Sequence, residues 1–186
     1  MSSRLAAAAL MAIALGAQAS ASKKSRADGI PSSRTPLSFP LPGHEKALRD
    51  NFHEKRGVRA HQALDIMAPR GTPIHAVEDG TVAKLYRGAL AGIAVYQFDA
   101  AKTRVYMYAH LDRQAPGLAE GQAVRRGQVI GFVGSTGNAP ESSPHLHFAM
   151  HELGEDKRWW KGKAANPYPL LRAPGSGPEI QAANAR

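Results

Sequence analysis

Five residues in three short motifs offer this chain its chemistry: His61 and Asp65 in HQALD, His110 closing MYAH, and His145 with His147 in HLHF. The chain has eight histidines and no cysteine, so any metal must be held by imidazole and carboxylate. A catalytic zinc takes three protein ligands of N or O type and keeps one position open for water. His61, Asp65 and one member of the His145/His147 pair meet that demand. The other member and His110 are then free to handle protons and to stabilise the oxyanion formed when metal-activated hydroxide attacks an amide carbonyl.

The backbone that must position these groups is read from the hydropathy pattern. His61 and Asp65 are four apart, a spacing that aligns two side chains on a helix and, being even, on an extended strand as well, so both conformations stay open. His145 and His147 share one face of a strand, while Leu146 and Phe148 face the other way and enter a core. By the same alternation Tyr106, Tyr108 and His110 are expected on one face, with Val105, Met107 and Ala109 opposite, so that His110 ends a polar aromatic stripe. Short apolar runs at 73–77, 81–86, 93–98, 104–110, 129–133 and 146–150 are bounded by Gly, Pro and Asp. Turn signals at Asp79-Gly80, Ala91-Gly92, Arg126-Gly127 and Gly137-Asn138 cut them into strands joined by tight connections. No long amphipathic helix competes, and the expected fold is all-β, a compact antiparallel sheet assembly.

These motifs, in this order, resemble the lysostaphin-type (LytM-like) zinc endopeptidases that cut peptide bonds in bacterial cell walls. The resemblance runs from about Phe52 to Leu171 through RAHQALDIMAPRGTPIHAVEDGTV, VYMYAHL, GQAVRRGQVIGFVGSTG, SPHLHF and NPYPLL. Several motifs in sequence are far more specific than a lone HxH. The resemblance implies one zinc ion held by His61, Asp65 and His147, with His110 and His145 as the catalytic pair. It also implies an antiparallel β fold, related to the duplicated hybrid motif, with a groove over the metal. His145 is implied as base and His110 as the group steadying the tetrahedral intermediate, the two roles being exchangeable. One departure is visible: Ala63 stands where the family usually has Gly, two residues after the first histidine. The backbone there is expected to be less permissive and the added methyl to narrow the floor of the site, affecting substrate choice more than metal binding.

Composition sets the wider frame. The chain has 186 residues, a hydrophobic fraction of 43% and a net charge of +9, enough for one domain with a real core and incompatible with disorder throughout. Residues 1–21 carry one charge, Arg4, then 13 apolar residues to Ala17 and small residues ending at Ala21, which reads as a secretory signal. Too short to span a bilayer, it leaves no stable membrane anchor after cleavage. Residues 22–35 are expected to form a flexible basic linker, 36–172 the zinc endopeptidase domain and 173–186 a flexible tail. The expected location is periplasmic or extracellular, at the wall, with peptidoglycan peptides as partner and an amidase or regulator as a further one. Export disfavours nucleic acid as a partner despite the basic charge.

His44, His53, His75 and His151 are left unassigned, with His53 able to line the groove and His151 at its rim. Tyr106, Tyr108, Trp159 and Trp160 are read mainly as packing aromatics, and Arg125-Arg126 and Lys161 to Lys163 as solvated charge. Arg59 could anchor a carboxylate near the site or cap a loop. GSTG at Gly134 to Gly137 lacks a phosphate-loop context and is read as a turn, and no serine sits in a nucleophile elbow. The leading function is an exported zinc endopeptidase acting on stem or cross-link peptides of peptidoglycan. The alternatives are a non-catalytic wall-binding regulator that activates a separate amidase, and a phosphocarrier or biotin or lipoyl carrier suggested by EDGTVAK and GQAVRRGQVIG, which export disfavours.

Overall fold

The computed structural model describes residues 36–173. The expected signal segment, the linker 22–35 and the tail beyond Ala173 lie outside the described residues. The described chain forms β1 (Lys55–Arg56), β2 (Arg59–Ala60), β3 (Leu64–Met67), β4 (Pro73–His75), β5 (Gly80–Gly88), β6 (Gly92–Asp99) and β7 (Arg104–Gln114). It continues through β8 (Ala123–Val124), β9 (Val129–Val133), β10 (His145–Leu153) and β11 (Gly162–Ala165) to a single short helix, α1 (Tyr168–Arg172). The fold is all-β, and every strand pairing is antiparallel, as expected.

The six apolar runs all appear as strands, most of them longer than the runs themselves. The short β1, β2, β3, β8 and β11 carry too few alternating residues to announce themselves. The main sheet runs in the order β11, β10, β7, β6, β5, β8, with β3 pairing to β10 and β9 joining β7 to β4. Asp99 closes the β6–β7 turn: its carboxylate accepts the backbone N–H groups of Thr103 at 2.7 Å and Arg104 at 2.8 Å. A short acidic side chain next to a turn satisfies backbone donors that the ladder leaves orphaned.

Strand β10 alternates as its sequence demands. Leu146 and Phe148 are fully buried, and Phe148 packs against Tyr108 with ring centroids 5.2 Å apart. His145 and His147 face the other side, where His147 stands opposite both Asp65 of β3 and Ala109 of β7. Strand β10 is therefore the element that brings three segments of the chain to one place.

Strand β7 breaks the expected alternation. Tyr106 and Tyr108 are fully buried in the core, not on a polar groove face, and Tyr108 donates its hydroxyl to Gln97 at 2.8 Å. The β6–β7 register then slips, with Val95 opposite Tyr108 but Ile93 opposite Leu111, so that Ala109 and His110 together face Ala94. His110 takes up the extra residue at φ +61°. This β-bulge gives Leu111 the core position and turns His110 to the face of His145 and His147, correcting the expected shared stripe of Tyr106, Tyr108 and His110.

Candidate active site

His61 and Asp65 lie on neither a helix nor one continuous strand. His61 follows β2, the backbone then passes through Gln62 at φ +59°, and Asp65 belongs to β3. Two backbone bonds fix this crossing: the N–H of His61 is donated to the Glu54 carbonyl and that of Gln62 to the Phe52 carbonyl, both at 2.8 Å. The left-handed residue is Gln62, not Ala63. Ala63 is buried and does not line the pocket, so its methyl group neither strains the backbone nor narrows the site as expected.

Three donor atoms converge. His61 Nε2 lies 3.1 Å from Asp65 Oδ1 and 3.2 Å from His147 Nδ1, and His147 Nδ1 lies 3.0 Å from Asp65 Oδ1. A tetrahedral zinc with bonds of roughly 2.0–2.1 Å spaces its ligand atoms about 3.3 Å apart, so the donor set fits such an ion in both chemistry and spacing. Each donor is oriented from behind. His61 donates Nδ1–H to the Asn51 carbonyl at 3.1 Å, which aims Nε2 at the centre. Arg56 holds Asp65 Oδ2 at 2.9 Å and so leaves Oδ1 for the centre, while the Asp65 N–H is donated to Asn51 Oδ1 at 3.3 Å. Burial alone would raise the Asp65 pKa, but the hydrogen bonds and charges of His147 and His61 outweigh it and hold the carboxyl well below the usual range.

The remaining two histidines sit beside this centre. His145 donates Nδ1–H to the Ser143 carbonyl at 2.8 Å, and its Nε2 stands 3.7 Å from Asp65 Oδ1. His110 donates Nδ1–H to the Thr136 carbonyl at 2.8 Å, and its ring lies 5.1 Å from that of His145 and 5.4 Å from that of His147. Burial lowers the pKa of His110 against the opposing pull of the Thr136 carbonyl. With Nδ1 donating in both rings, each neutral imidazole presents Nε2 as its lone-pair atom. All five residues singled out in the sequence line one pocket, whose rim adds Arg56, Arg59 and the 138–140 loop.

The sequence reading missed Asn51, Arg56, Ser143 and Thr136 as orienting groups. Three of these four act through a backbone carbonyl, which carries no residue-type signal. Of GSTG, read as a turn, only Gly137 lies in one, while Gly134 bridges to His145; the segment also buttresses the site. Gly137 sits at φ +79°, and a Cβ there would come within 2.3 Å of the Gly92 nitrogen. Thr136 Oγ1 accepts from the Ile93 N–H at 2.9 Å and donates to the Leu111 carbonyl at 2.6 Å, tying the loop to both sides of the bulge. His53 is exposed against Phe52 and does not line the pocket.

The arrangement has counterparts among known proteins. The chain is 34% identical over 145 residues to the L-Ala--D-Glu endopeptidase of Bacillus subtilis, covering 73% of this chain and 43% of that protein. It is 35% identical over 121 residues to the peptidoglycan DD-endopeptidase ShyC of Vibrio cholerae, covering 62% and 25% respectively. The chain thus spans less than half the length of either relative. The catalytic domain of lysostaphin from Staphylococcus simulans shares the fold, with a TM-score of 0.54 at 22% identity over 75% of this chain and 93% of that one. Residues 59–167, which include all five converging side chains, match a single family along their whole span, and the chain belongs to peptidase family M23.

Proposed function

We propose that this protein is an exported zinc endopeptidase that hydrolyses amide bonds in the stem or cross-link peptides of peptidoglycan. The observation that carries this reading is the meeting of His61 Nε2, Asp65 Oδ1 and His147 Nδ1 within 3.0–3.2 Å, beside two further histidines. The names of the two relatives, one an L-Ala--D-Glu and one a peptidoglycan DD-endopeptidase, support the substrate class. A regulator without activity has no use for a complete donor set, and no observation favours it here.

His61, Asp65 and His147 would hold one zinc ion, which when bound lowers the pKa of a water and polarises the scissile carbonyl. The work of this chain's own residues follows from their tethers. His145 has Nδ1–H committed to Ser143, so Nε2 takes the proton released from the attacking water and delivers it to the departing amine. His110 faces the same space, and a proton taken up from solvent at Nε2, against the burial that lowers its pKa, would let it donate to the oxygen that gains charge. Both rings are nearly buried, so these charges interact with little solvent screening.

Digestion of purified muropeptides with mass readout, with and without chelator, tests the reading. Chelator-sensitive release of peptide fragments is expected. Intact muropeptides with the zinc-loaded protein refute it.

A further inference from the structure

The rim of the pocket carries a cation that the catalytic assignment does not use. Arg59 lies in β2, two residues before His61, and lines the same pocket as the five catalytic and metal-binding candidates. Its guanidinium makes no ion pair or hydrogen bond with another described residue. Its cross-strand neighbour Arg56 is already engaged, with Asp65 Oδ2 at 2.9 Å and Glu54 at 3.3 Å. Among the described residues Asp65 is the one carboxylate lining the pocket, and His61, His147 and Arg56 saturate it. The far rim, at Asn138, Ala139 and Pro140, is uncharged. The pocket therefore presents one unbalanced, exposed guanidinium beside the place where an amide must sit.

Because Arg59 lines the same pocket as all five candidate side chains, a group held by its guanidinium belongs to the stretch of substrate that fills this pocket, close to the cleaved amide. Guanidinium binds carboxylate through two parallel N–H···O bonds, with a geometry that a neutral amide cannot match. Resting on the endopeptidase reading, we propose that Arg59 is a specificity-determining residue that recognises a free carboxylate of the substrate peptide next to the scissile bond. That carboxylate is either a side-chain carboxylate or the C-terminal one. Both present the same two oxygens, and only the substrate decides which lies within reach.

The test uses zinc-loaded protein and three synthetic peptides of one sequence: free acid, C-terminal amide and side-chain amide. Binding is measured by competition and turnover by mass readout, with wild type, Arg59→Lys and Arg59→Ala. The wild type is expected to bind the free acid at least tenfold more tightly than one of the two amides, and which amide suffers identifies the carboxylate. Arg59→Ala should collapse that ratio towards one through KM, and Arg59→Lys should restore part of it. Thermal midpoints of the three proteins should coincide, since an exposed guanidinium without a partner among the described residues adds little to stability. Equal losses for Arg59→Ala on all three peptides, or a wild type indifferent to both amidations, overturn the inference. So does failure to bind any of the three. Arg59-dependent binding of the free acid without cleavage would instead sink only the endopeptidase reading.

Discussion

The imidazole of His110 donates Nδ1–H to the carbonyl oxygen of Thr136 over 2.8 Å, while the backbone N–H of His110 is donated to Ala91 at 2.9 Å. One residue is thereby clamped from both ends in a left-handed conformation that a β strand does not offer. The cost of that conformation, about 1–3 kcal/mol, persists because the surrounding loop over-determines it. Strain and clamp together aim Nε2 at the pocket.

The buttress should be sensitive to a single methyl group. In Gly137→Ala the new Cβ meets Gly92 backbone at 2.3 Å, in a conformation that already disfavours a side chain. We expect a loss of roughly 1–3 kcal/mol in denaturant unfolding. Turnover should fall further than stability explains, with zinc content unchanged, because Thr136 can no longer hold His110. Unaltered turnover in a folded variant would show that the clamp is dispensable.

Proton handling and metal holding should separate by mutation. His145→Ala and His110→Ala are each expected to lower kcat by roughly 10²–10⁴ while retaining about one zinc per chain. His147→Ala and Asp65→Ala should lose the metal itself. Metal analysis of the purified variants beside their kinetics checks both halves of the statement.

Arg56 should act on the metal without touching it. With Asp65 Oδ2 released from its 2.9 Å contact, the carboxylate is free to rotate away from His61 and His147. Arg56→Ala is therefore expected to weaken zinc binding by roughly tenfold, the lower end of what orienting partners contribute. Titration against a chromogenic chelator measures it. Restoring excess zinc should recover most of the activity.

Acid and alkali should bear differently on the core. Burial raises the pKa of Glu78 above its ordinary value, against the opposing hydrogen bond donated by the Tyr106 hydroxyl. A carboxyl whose folded pKa is raised contributes most when protonated, so its contribution is fully present below the ordinary carboxylate range and is lost as pH rises through the folded value. Glu78→Gln should flatten that decline in the thermal midpoint across the mildly acid range. A variant with the wild-type pH dependence would assign the decline to other groups.

Much of this protein is legible in its sequence because the signals are local. Alternation in HLHF put His145 and His147 on one face and Leu146 and Phe148 in the core, and strand β10 obeys it. Apolar runs separated by Gly, Pro and Asp located β4, β5, β6, β7, β9 and β10. The order of HQALD, MYAH and HLHF pointed to the family and to the residues that the fold then gathers into one pocket. The short β1, β2, β3, β8 and β11 were beyond reach, since so few positions cannot display a period.

Residue types and their spacing along the chain pointed to the five side chains and to the all-β class, and the order of the motifs, through the family resemblance, implied which three of the five form the donor set. Tertiary structure alone decided where His61, Asp65 and His110 point. The β6–β7 slip that turns His110 away from Tyr106 and Tyr108 depends on a loop 26 residues later, and the left-handed Gln62 sets His61 and Asp65 on different segments. The carbonyls of Asn51, Ser143 and Thr136 choose which ring nitrogen faces the pocket. Alternation describes a strand in isolation, whereas a bulge and a backbone acceptor exist only once distant segments have paired.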